Sequence, residues 1–336
     1  MSAAAGRVQK ETEGKMKLWK IAAPLALVVA LLAAPAARAA GPAKPDVIRY
    51  ANIPWFDPVY VADEKGWFAE EGLKIEWVGE ISASQLVPAV AARSIDISNR
   101  MTPLILTARA GGAKLRIIAA GAQTTPELPH MKYLVSPQSP IRSIEDLRGK
   151  KVGINSFGAC SEYVLKEYLR RNGLDKTINF VVVPDANQEQ ALAQGLIDVG
   201  VLHSPYYEKV VKTGAAREIF TDYAVDDGVP GMLPYFTHED IIRTRPDVLR
   251  RFVKVLVRAS DWTNKNHEEA GQIFARRRGL DLRYAGSWSY YEHGLVPNDK
   301  PVQWWIDYLV GEGQLPAGKE KARNVYTNEF NPYYKS

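Results

Sequence analysis

The sequence of 336 residues predicts an α/β protein with mostly parallel sheets and about two domains. Three observations support this prediction. Short apolar strands alternate with helices between residues 47 and 202, and the alternation occurs in two similar blocks. From about residue 237 the pattern becomes helical. Hydrophobic residues make up 46% of the chain and charged residues 24%, which is typical of a globular protein and unlike a disordered or fibrous one.

The N-terminal region has the pattern of an export signal. Basic residues precede an apolar run over 21–37, which is shorter than the roughly 20 residues that a permanent membrane span needs. The run ends in Ala37-Arg38-Ala39, a small-x-small sequence of the type that signal peptidase cleaves. We therefore expect a signal peptide over residues 1–39, cleavage near Ala39/Ala40 and a mature protein in the periplasm. The alternative is an N-terminal membrane anchor.

The first block of strands and helices covers residues 47–119. Apolar and charged residues alternate over 73–77, which is the period of a half-buried strand. Gly72 and Gly111 end helices, and Ser82 offers an N-cap oxygen at the start of another. The predicted strands are 47–51, 73–77, 95–98 and 115–119, and the predicted helices are 57–71, 82–92 and 103–110.

The second block, residues 131–202, resembles the first. Ile95-Asp96-Ile97 and Ile197-Asp198-Val199 each follow a helix and a tight turn, which favours two similar α/β lobes joined by crossovers. The alternative is that such units look alike in many unrelated α/β proteins. The predicted strands are 132–135, 151–154, 180–183 and 199–202, the helices within the block are 160–171 and 187–194, and the later helices are 246–262, 267–277, 281–293 and 301–312.

Charge and cysteine content exclude several classes of protein. The net charge is +5, but residues 1–39 carry +4 of it, so the remaining chain has no field that would attract a nucleic acid. The single cysteine, Cys160, excludes an internal disulfide and any zinc or iron–sulfur site built from cysteines alone. We interpret Cys160 as a small buried side chain rather than a reactive thiol. The histidines show no metal-ligand spacing, so we expect no metal and no cofactor.

Common catalytic motifs are missing from the sequence. It contains no G-x-S-x-G, no P-loop and no G-x-G-x-x-G. His238-Glu239 and His267-Glu268 begin like H-E-x-x-H, but Ile242 and Gly271 stand where the second histidine would be. We therefore expect no catalytic residues and no enzymatic activity.

Four segments carry a family resemblance. Residues 66–73, Gly-Trp-Phe-Ala-Glu-Glu-Gly-Leu, resemble the segment after the first strand of periplasmic substrate-binding proteins of ABC importers. These binding proteins belong to the class for nitrate, sulfonates, taurine and thiamine precursors, which is known as NMT1/THI5-like. Residues 143–154 are similar to its entry into the second lobe, and the two Ile-Asp strands and the C-terminal helices fit the same pattern. The resemblance covers roughly residues 46–315.

The resemblance implies a two-lobed periplasmic-binding-protein (type II) fold. Each lobe is a mostly parallel sheet flanked by helices, with lobe I formed by 40–122 plus 236–336 and lobe II by 123–235. The two crossovers would act as hinges, and ligand would bind between the lobes and favour the closed state. The closed protein, expected to be a monomer, would then dock transiently on ABC permease subunits in the inner membrane.

Loops after strands supply the candidate ligand-binding residues, because ligands of open α/β sheets bind at the carboxyl ends of strands. Aromatic side chains in the first loop would stack on an apolar ligand, a helix start would hold an anion, and a guanidinium would bind a carboxylate or sulfonate. In the first lobe the candidates are Trp55, Phe56, Ile81, Ser82, Ala83, Arg100 and Met101, with Gln123 at the first crossover. In the second lobe they are Ser156, Phe157, Gly158, Ser161, His203 and Tyr206, with Met232 at the second crossover.

These residues favour a solute-binding protein for a small organic anion, a sulfonate or carboxylate, with or without an aromatic part. A neutral or cationic heterocycle, such as a pyrimidine thiamine precursor, is an alternative ligand. A small-metabolite enzyme on the same scaffold is the alternative function.

Overall fold

The structure is a computed structural model that describes residues 44–174, 177–225, 233–291, 295 and 297–335. The predicted signal peptide over residues 1–39 and the candidate Met232 lie outside the described residues. In the part of the chain that is described, no helix has both the length and the apolar character needed to cross a membrane.

Strands and helices alternate along most of the chain, and helices dominate its C-terminal part. The strands are β1 (Asp46–Asn52), β2 (Leu73–Glu80), β3 (Ile97–Asn99), β4 (Leu115–Ala119), β5 (Ala122–Gln123), β6 (Met131–Val135), β7 (Lys151–Ile154), β8 (Asn179–Val182), β9 (Val199–His203), β10 (Arg217–Thr221), β11 (Tyr235–His238) and β12 (Ser289–Tyr290). The helices are α1 (Pro58–Glu64), α2 (Trp67–Glu70), α3 (Leu86–Ala91), α4 (Thr102–Ala110), α5 (Cys160–Arg171), α6 (Asp185–Ala193), α7 (Tyr206–Lys212), α8 (Glu239–Thr244), α9 (Pro246–Lys265), α10 (His267–Arg278), α11 (Asp299–Gly311) and α12 (Ala322–Val325).

A five-stranded sheet is built from residues 131–221, with strand order β10-β6-β9-β7-β8. β7 pairs in parallel with β8 and β9, whereas β6 is antiparallel to β9 and β10. The other strands form small sheets: β1 is parallel to β2, β11 lies antiparallel between β3 and β4, and β12 is antiparallel to β5. The chain passes between these two groups of sheets after β5 and again after β10.

The sheets are mixed, whereas mostly parallel sheets were predicted. The parallel pairs are β1–β2, β7–β8 and β7–β9. Apart from β5–β12, each antiparallel pair includes β6 or β11, the strands that follow the two passages between the groups of sheets. A parallel neighbour needs a crossover helix on the same sheet, and strands arriving from elsewhere in the molecule are free of that constraint.

Two predicted helices differ from the structure. The helix expected over 57–71 is divided into α1 and α2, because Gly66 has φ 73° and leaves the helical conformation there. The prediction of a helix over 281–293 is wrong for the described residues of this segment. Leu282–Tyr284 form a single 3₁₀ turn, and the strand β12 follows and pairs with β5. Pairing with a distant strand overrides the local pattern there.

The C-terminal helix α9 confirms the predicted amphipathic pattern. It packs against α1, and its apolar side chains lie in the core that supports β1 and β2. The buried positions of the predicted stripe are Val248, Leu249, Phe252, Val255, Leu256 and Ala259. This packing holds the loop after β1 in place, and that loop forms one wall of the cavity described below.

Candidate functional site

A cavity of about 400 Å³ lies between the five-stranded sheet and the smaller sheets. This volume is within the range of roughly 300–1,000 Å³ that is usual for small-molecule sites. Loops at the carboxyl ends of β1, β2, β3, β7, β8 and β9 contribute to its wall, as expected for ligand sites in open sheets. The lining residues are Pro54, Trp55, Ser82, Ala83, Ser84, Arg100, His130, Asn155, Ser156, Cys160, Val182, Pro184, Asp185, Ala186, His203, Tyr206, Leu233 and Trp288.

Arg100 is a buried cation in the cavity wall, with 2% of its surface exposed. Its Nε donates to the carbonyl of Ala83 at 3.0 Å, and its Nη2 donates to Ser156 Oγ at 3.3 Å. Burial lowers the pKa of its guanidinium to about 10, and the nearby Cys160 only partly opposes this. Among the ion pairs of the described residues, none includes Arg100. A buried charge without a counter-ion is costly, so an anion in the cavity would be favourable here.

Trp55 lies beside this guanidinium and forms part of the apolar wall. Its ring centre is 5.2 Å from Arg100 Cζ, and its Nε1 donates to Asn99 Oδ1 at 2.9 Å. Asn99 in turn donates to Asp57, whose pKa is raised to about 6 by burial although the hydrogen bonds it accepts oppose the rise. A buried polar network therefore fixes the orientation of the indole.

Phe56, the next candidate, does not contact the cavity. Its side chain is fully buried and packs against Phe274 and Tyr290, with ring centres 5.7 and 6.2 Å away. Met101 is also fully buried in the core. The prediction that these two side chains line the cavity is wrong. Adjacent residues point in different directions, and Phe56 and Met101 point into the protein core.

The loop after β2 lines the cavity through Ser82 and Ala83 but differs from the predicted helix start. A 3₁₀ turn over Ala83–Gln85 precedes α3, and the Ser82 hydroxyl makes no capping hydrogen bond. Ile81 packs against the core beside this loop. The backbone group that bonds to Arg100 is the Ala83 carbonyl, an acceptor, so this loop orients the guanidinium.

The turn after β7 lies on the opposite wall. Ser156 lines the cavity and accepts from Arg100, which links the two walls. Ser161 is buried and donates to Asn155 Oδ1 at 3.0 Å, so it supports the turn from behind. Gly158 has φ 74°, and its N–H donates to Glu162. Phe157 is 60% exposed and lies outside the cavity wall.

Tyr206 and Gln123 mark the edges of the site. The Tyr206 hydroxyl lies 3.5 Å from the carbonyl of Pro54, so a side chain next to β9 meets the loop after β1. Burial raises the pKa of this phenol. Gln123 belongs to the short strand β5, which pairs with β12, and it is not part of the cavity wall.

Cys160 forms a cluster with two histidines in the cavity wall. Its Sγ lies 3.0 Å from His203 Nε2 and 3.6 Å from His130 Nε2. His203 Nδ1 is 2.8 Å from Asp185 Oδ1. Burial disfavours charge on His203, but the nearby Cys160 and Asp185 raise its pKa well above the usual value.

His130, by contrast, is held neutral. Burial lowers its pKa well below the usual value, and the neighbouring His203 adds to this effect. Its ring packs edge-to-face on Trp288, with the centres 4.3 Å apart. Cys160 is buried, as expected, but it also lines the cavity beside two imidazoles, and a buried structural thiol would not need either. Sequence reasoning missed His130, Asp185 and Trp288, because no short spacing connects them to the other wall residues.

Sequence comparisons place the chain among known proteins. Residues 53–270 match the family described as NMT1/THI5 like. A protein of Escherichia coli (strain K12) named "Putative aliphatic sulfonates-binding protein" is 32% identical over 231 residues, 68% of this chain and 69% of that protein. A protein of the same name from Bacillus subtilis (strain 168) is 25% identical over 274 residues, 79% and 76% of the two chains. A 4-amino-5-hydroxymethyl-2-methylpyrimidine phosphate synthase of Legionella pneumophila is 22% identical over 236 residues, 68% and 71%.

Solved structures share the fold. The periplasmic aliphatic sulphonate binding protein SsuA from Escherichia coli superposes with a TM-score of 0.68 at 19% identity, covering 87% of this chain and 94% of that one. The periplasmic nitrate-binding protein NrtA from Synechocystis PCC 6803 has a TM-score of 0.71 at 16% identity, with 85% and 87% covered. At these identities the likeness shows the fold, which confirms the predicted two-lobed periplasmic-binding-protein architecture.

Proposed function

Because the chain belongs to the NMT1/THI5-like family, we propose that it is the solute-binding component of an ABC import system for a small organic anion. The ligand carries a sulfonate or carboxylate group, which binds Arg100, and an apolar or aromatic part, which stacks on Trp55. The aliphatic sulfonates-binding relatives support this class of ligand.

The single observation that carries the proposal is the buried guanidinium of Arg100 in the cavity wall. Within the described part of the chain it makes two hydrogen bonds, both to neutral groups, one through Nε and one through Nη2. A planar guanidinium is suited to two parallel hydrogen bonds with a carboxylate or sulfonate. An anion entering the cavity would therefore supply the counter-charge that the described residues leave out.

Hinge closure explains how capture is coupled to delivery. We assign residues 40–122 and 236–336 to lobe I and residues 123–235 to lobe II, since the five-stranded sheet comes entirely from 131–221. The Arg100–Ser156 and Tyr206–Pro54 contacts join the two sides of the cavity. Ligand stabilises the closed form because it contacts both lobes at once, and a permease then binds that closed form.

Export and release of an unchanged ligand complete the proposal. Residues 1–39 are removed as a signal peptide near Ala39/Ala40, and the mature monomer acts in the periplasm. No bond in the ligand is made or broken, and no cofactor takes part in its capture. The synthase among the relatives makes this a point to be tested directly.

A ligand screen tests the function. The mature chain, starting at Ala40, is titrated calorimetrically with an alkanesulfonate, an aromatic sulfonate, an aromatic carboxylate, nitrate and a pyrimidine. We expect one saturable site for an organic anion and a higher melting temperature, since ligand at 100 times Kd adds about 2.7 kcal/mol of stability. Binding of the pyrimidine alone would contradict the ligand class. A new compound in the mixture after incubation would contradict the non-catalytic role.

A further inference from the structure

The cluster at the cavity wall has a use beyond capture of an organic anion. We propose that His130 Nε2, Cys160 Sγ and His203 Nε2 bind a divalent transition-metal ion of the zinc class. The set of one thiolate and two imidazoles is typical of zinc sites that keep one coordination position open. This inference does not depend on the proposed function, because the metal would bind in the absence of any organic ligand.

The distances fit a tetrahedral ion. Zinc lies about 2.3 Å from a thiolate sulfur and about 2.0–2.1 Å from an imidazole nitrogen, so sulfur and nitrogen ligands are about 3.5 Å apart. Cys160 Sγ lies 3.0 Å from His203 Nε2 and 3.6 Å from His130 Nε2. The three ligand atoms all lie within 4.8 Å of one another. For the two sulfur–nitrogen pairs, shifts of about half an ångström or less would complete the geometry.

Rigid elements hold the three ligands. His203 ends β9, and Cys160 is the first residue of α5. His130 directly precedes β6, whose first residue, Met131, is paired with His203 in the antiparallel ladder. Strand pairing therefore brings the two histidines together, and their ring centres are 5.0 Å apart. The side chains are almost fully buried, so little conformational freedom remains to be lost on metal binding.

Asp185 provides the outer support that metal-binding histidines usually have. Its Oδ1 accepts from the backbone N–H of His203 at 2.9 Å and lies 2.8 Å from His203 Nδ1. A proton on Nδ1 is thereby directed to the carboxylate, so Nε2 is the ring nitrogen that faces Cys160 and that binds the metal once it has lost its own proton. Carboxylate–histidine–metal arrangements of this kind fix the tautomer and the ring orientation.

The second histidine distinguishes a metal site from a catalytic thiol. A cysteine nucleophile needs one imidazole as base and one carboxylate to orient it, and Cys160, His203 and Asp185 alone would satisfy that requirement. His130 on the other side of the sulfur has no part in such an arrangement, but it is the third ligand of a metal. All three side chains line the cavity, so the fourth position is open to water or to an anionic oxygen.

Cobalt titration tests the site. The mature chain is freed of metal with a chelator, and Co²⁺ is added and then displaced by Zn²⁺. We expect one equivalent of Co²⁺ to produce a thiolate-to-cobalt charge-transfer band and the intense visible bands of a four-coordinate ion. Binding of either ion to the metal-free protein should release about one proton, because cysteine binds a metal as the thiolate. Zinc should then displace cobalt without further proton release.

Variants assign the ligands. Cys160→Ser should abolish the charge-transfer band, and His130→Gln and His203→Gln should each weaken Zn²⁺ binding by about 10-fold or more. Asp185→Asn keeps all three ligands and should weaken Zn²⁺ binding by roughly 10-fold. This variant therefore still tests the site if a variant that lacks a ligand fails to fold. His267→Gln is the matched control, since His267 bonds to Ser287 outside the cavity wall, and its metal affinity should be unchanged.

Two results would overturn the proposal. One is a wild-type protein that shows no charge-transfer band at stoichiometric Co²⁺. The other is Cys160→Ser protein that binds Zn²⁺ as tightly as the wild type. Arg100→Met separates this site from the proposed function, because it should abolish binding of an organic anion while the cobalt spectrum of the metal site remains.

Discussion

Replacing Arg100 with methionine removes a buried positive charge but keeps an unbranched side chain of similar reach. The substitution therefore tests the charge with little change in packing. If the guanidinium binds the anionic group of the ligand, the variant should lose affinity. The protein without ligand should be as stable as the wild type or more stable, because the charge is costly to bury when no anion is present.

The structure sets the size of both effects. In the free protein, burial lowers the pKa of Arg100 from 12.5 to about 10. At 1.36 kcal/mol per pKa unit, this corresponds to roughly 3 kcal/mol of unfavourable charge burial. Two charge-assisted hydrogen bonds to a ligand anion contribute about 1.5 kcal/mol each at the lower end of the usual range. The variant should therefore bind the anion about 100-fold more weakly.

Calorimetric titration with the ligand identified in the screen measures Kd, and urea unfolding without ligand measures stability. Arg243→Met is the matched control, since the Arg243 side chain on helix α8 is exposed and pairs with Asp240. That variant should keep the wild-type Kd. The reasoning would be refuted by an Arg100→Met variant that binds the anion with unchanged affinity. It would also be refuted if this variant lost several kcal/mol of stability in the free form.

Other substitutions test neighbouring parts of the site. Trp55→Leu should weaken ligand binding about 2- to 10-fold by calorimetry, because an aromatic contact with the ligand is lost. Phe56→Ala should leave Kd unchanged and lower the free energy of unfolding in urea by about 3–5 kcal/mol, because the ring lies in the core. Equal effects of the two variants on Kd would contradict this assignment. Gly158→Ala should destabilise by about 1–2 kcal/mol or more, since φ is 74° and the new Cβ would lie 2.6 Å from Leu104 Cδ2. Adding Leu104→Ala should recover only the steric part, and full recovery would exclude backbone strain. Burial raises the pKa of Asp222 to about 7, so the folded protein binds the proton more tightly than the unfolded chain. Wild-type stability should then fall as pH rises from about 4 to about 7, by up to roughly 4 kcal/mol. Asp222→Asn should remove this part of the pH profile, and an unchanged profile would show that another group is responsible.

Much of the site's position was predictable, because the positions of strands along the chain follow from the local pattern of residues. The pattern of residues identified which loops follow strands, and the cavity is lined by loops at the carboxyl ends of six strands. Arg100, Ser156 and Tyr206 were selected on this basis and lie in its wall. The assignment of individual side chains was weaker. Trp55 lines the cavity, but Phe56 beside it packs into the core, and nothing in the local sequence distinguishes the two neighbours.

The cysteine–histidine cluster shows a different limit. His130, Cys160 and His203 are far apart along the chain, and each has an ordinary local setting. They meet because β6 pairs antiparallel with β9 and α5 begins beside them. An antiparallel entry of β6 was not predicted, so the sequence pattern offered no reason to place His130 near His203.

Composition and the alternation of strands and helices were enough to predict an α/β protein of about two domains, and the N-terminal pattern was enough to predict export, because these properties depend on neighbours along the chain. The two-lobed binding-protein fold was implied by the family resemblance of four short segments. Tertiary structure alone decided which side chains face the cavity, why Ala83 presents a carbonyl to Arg100 and how three separated residues converge on one point. Those outcomes depend on strand register and on the direction of each Cα–Cβ bond, and both are set by contacts between distant segments.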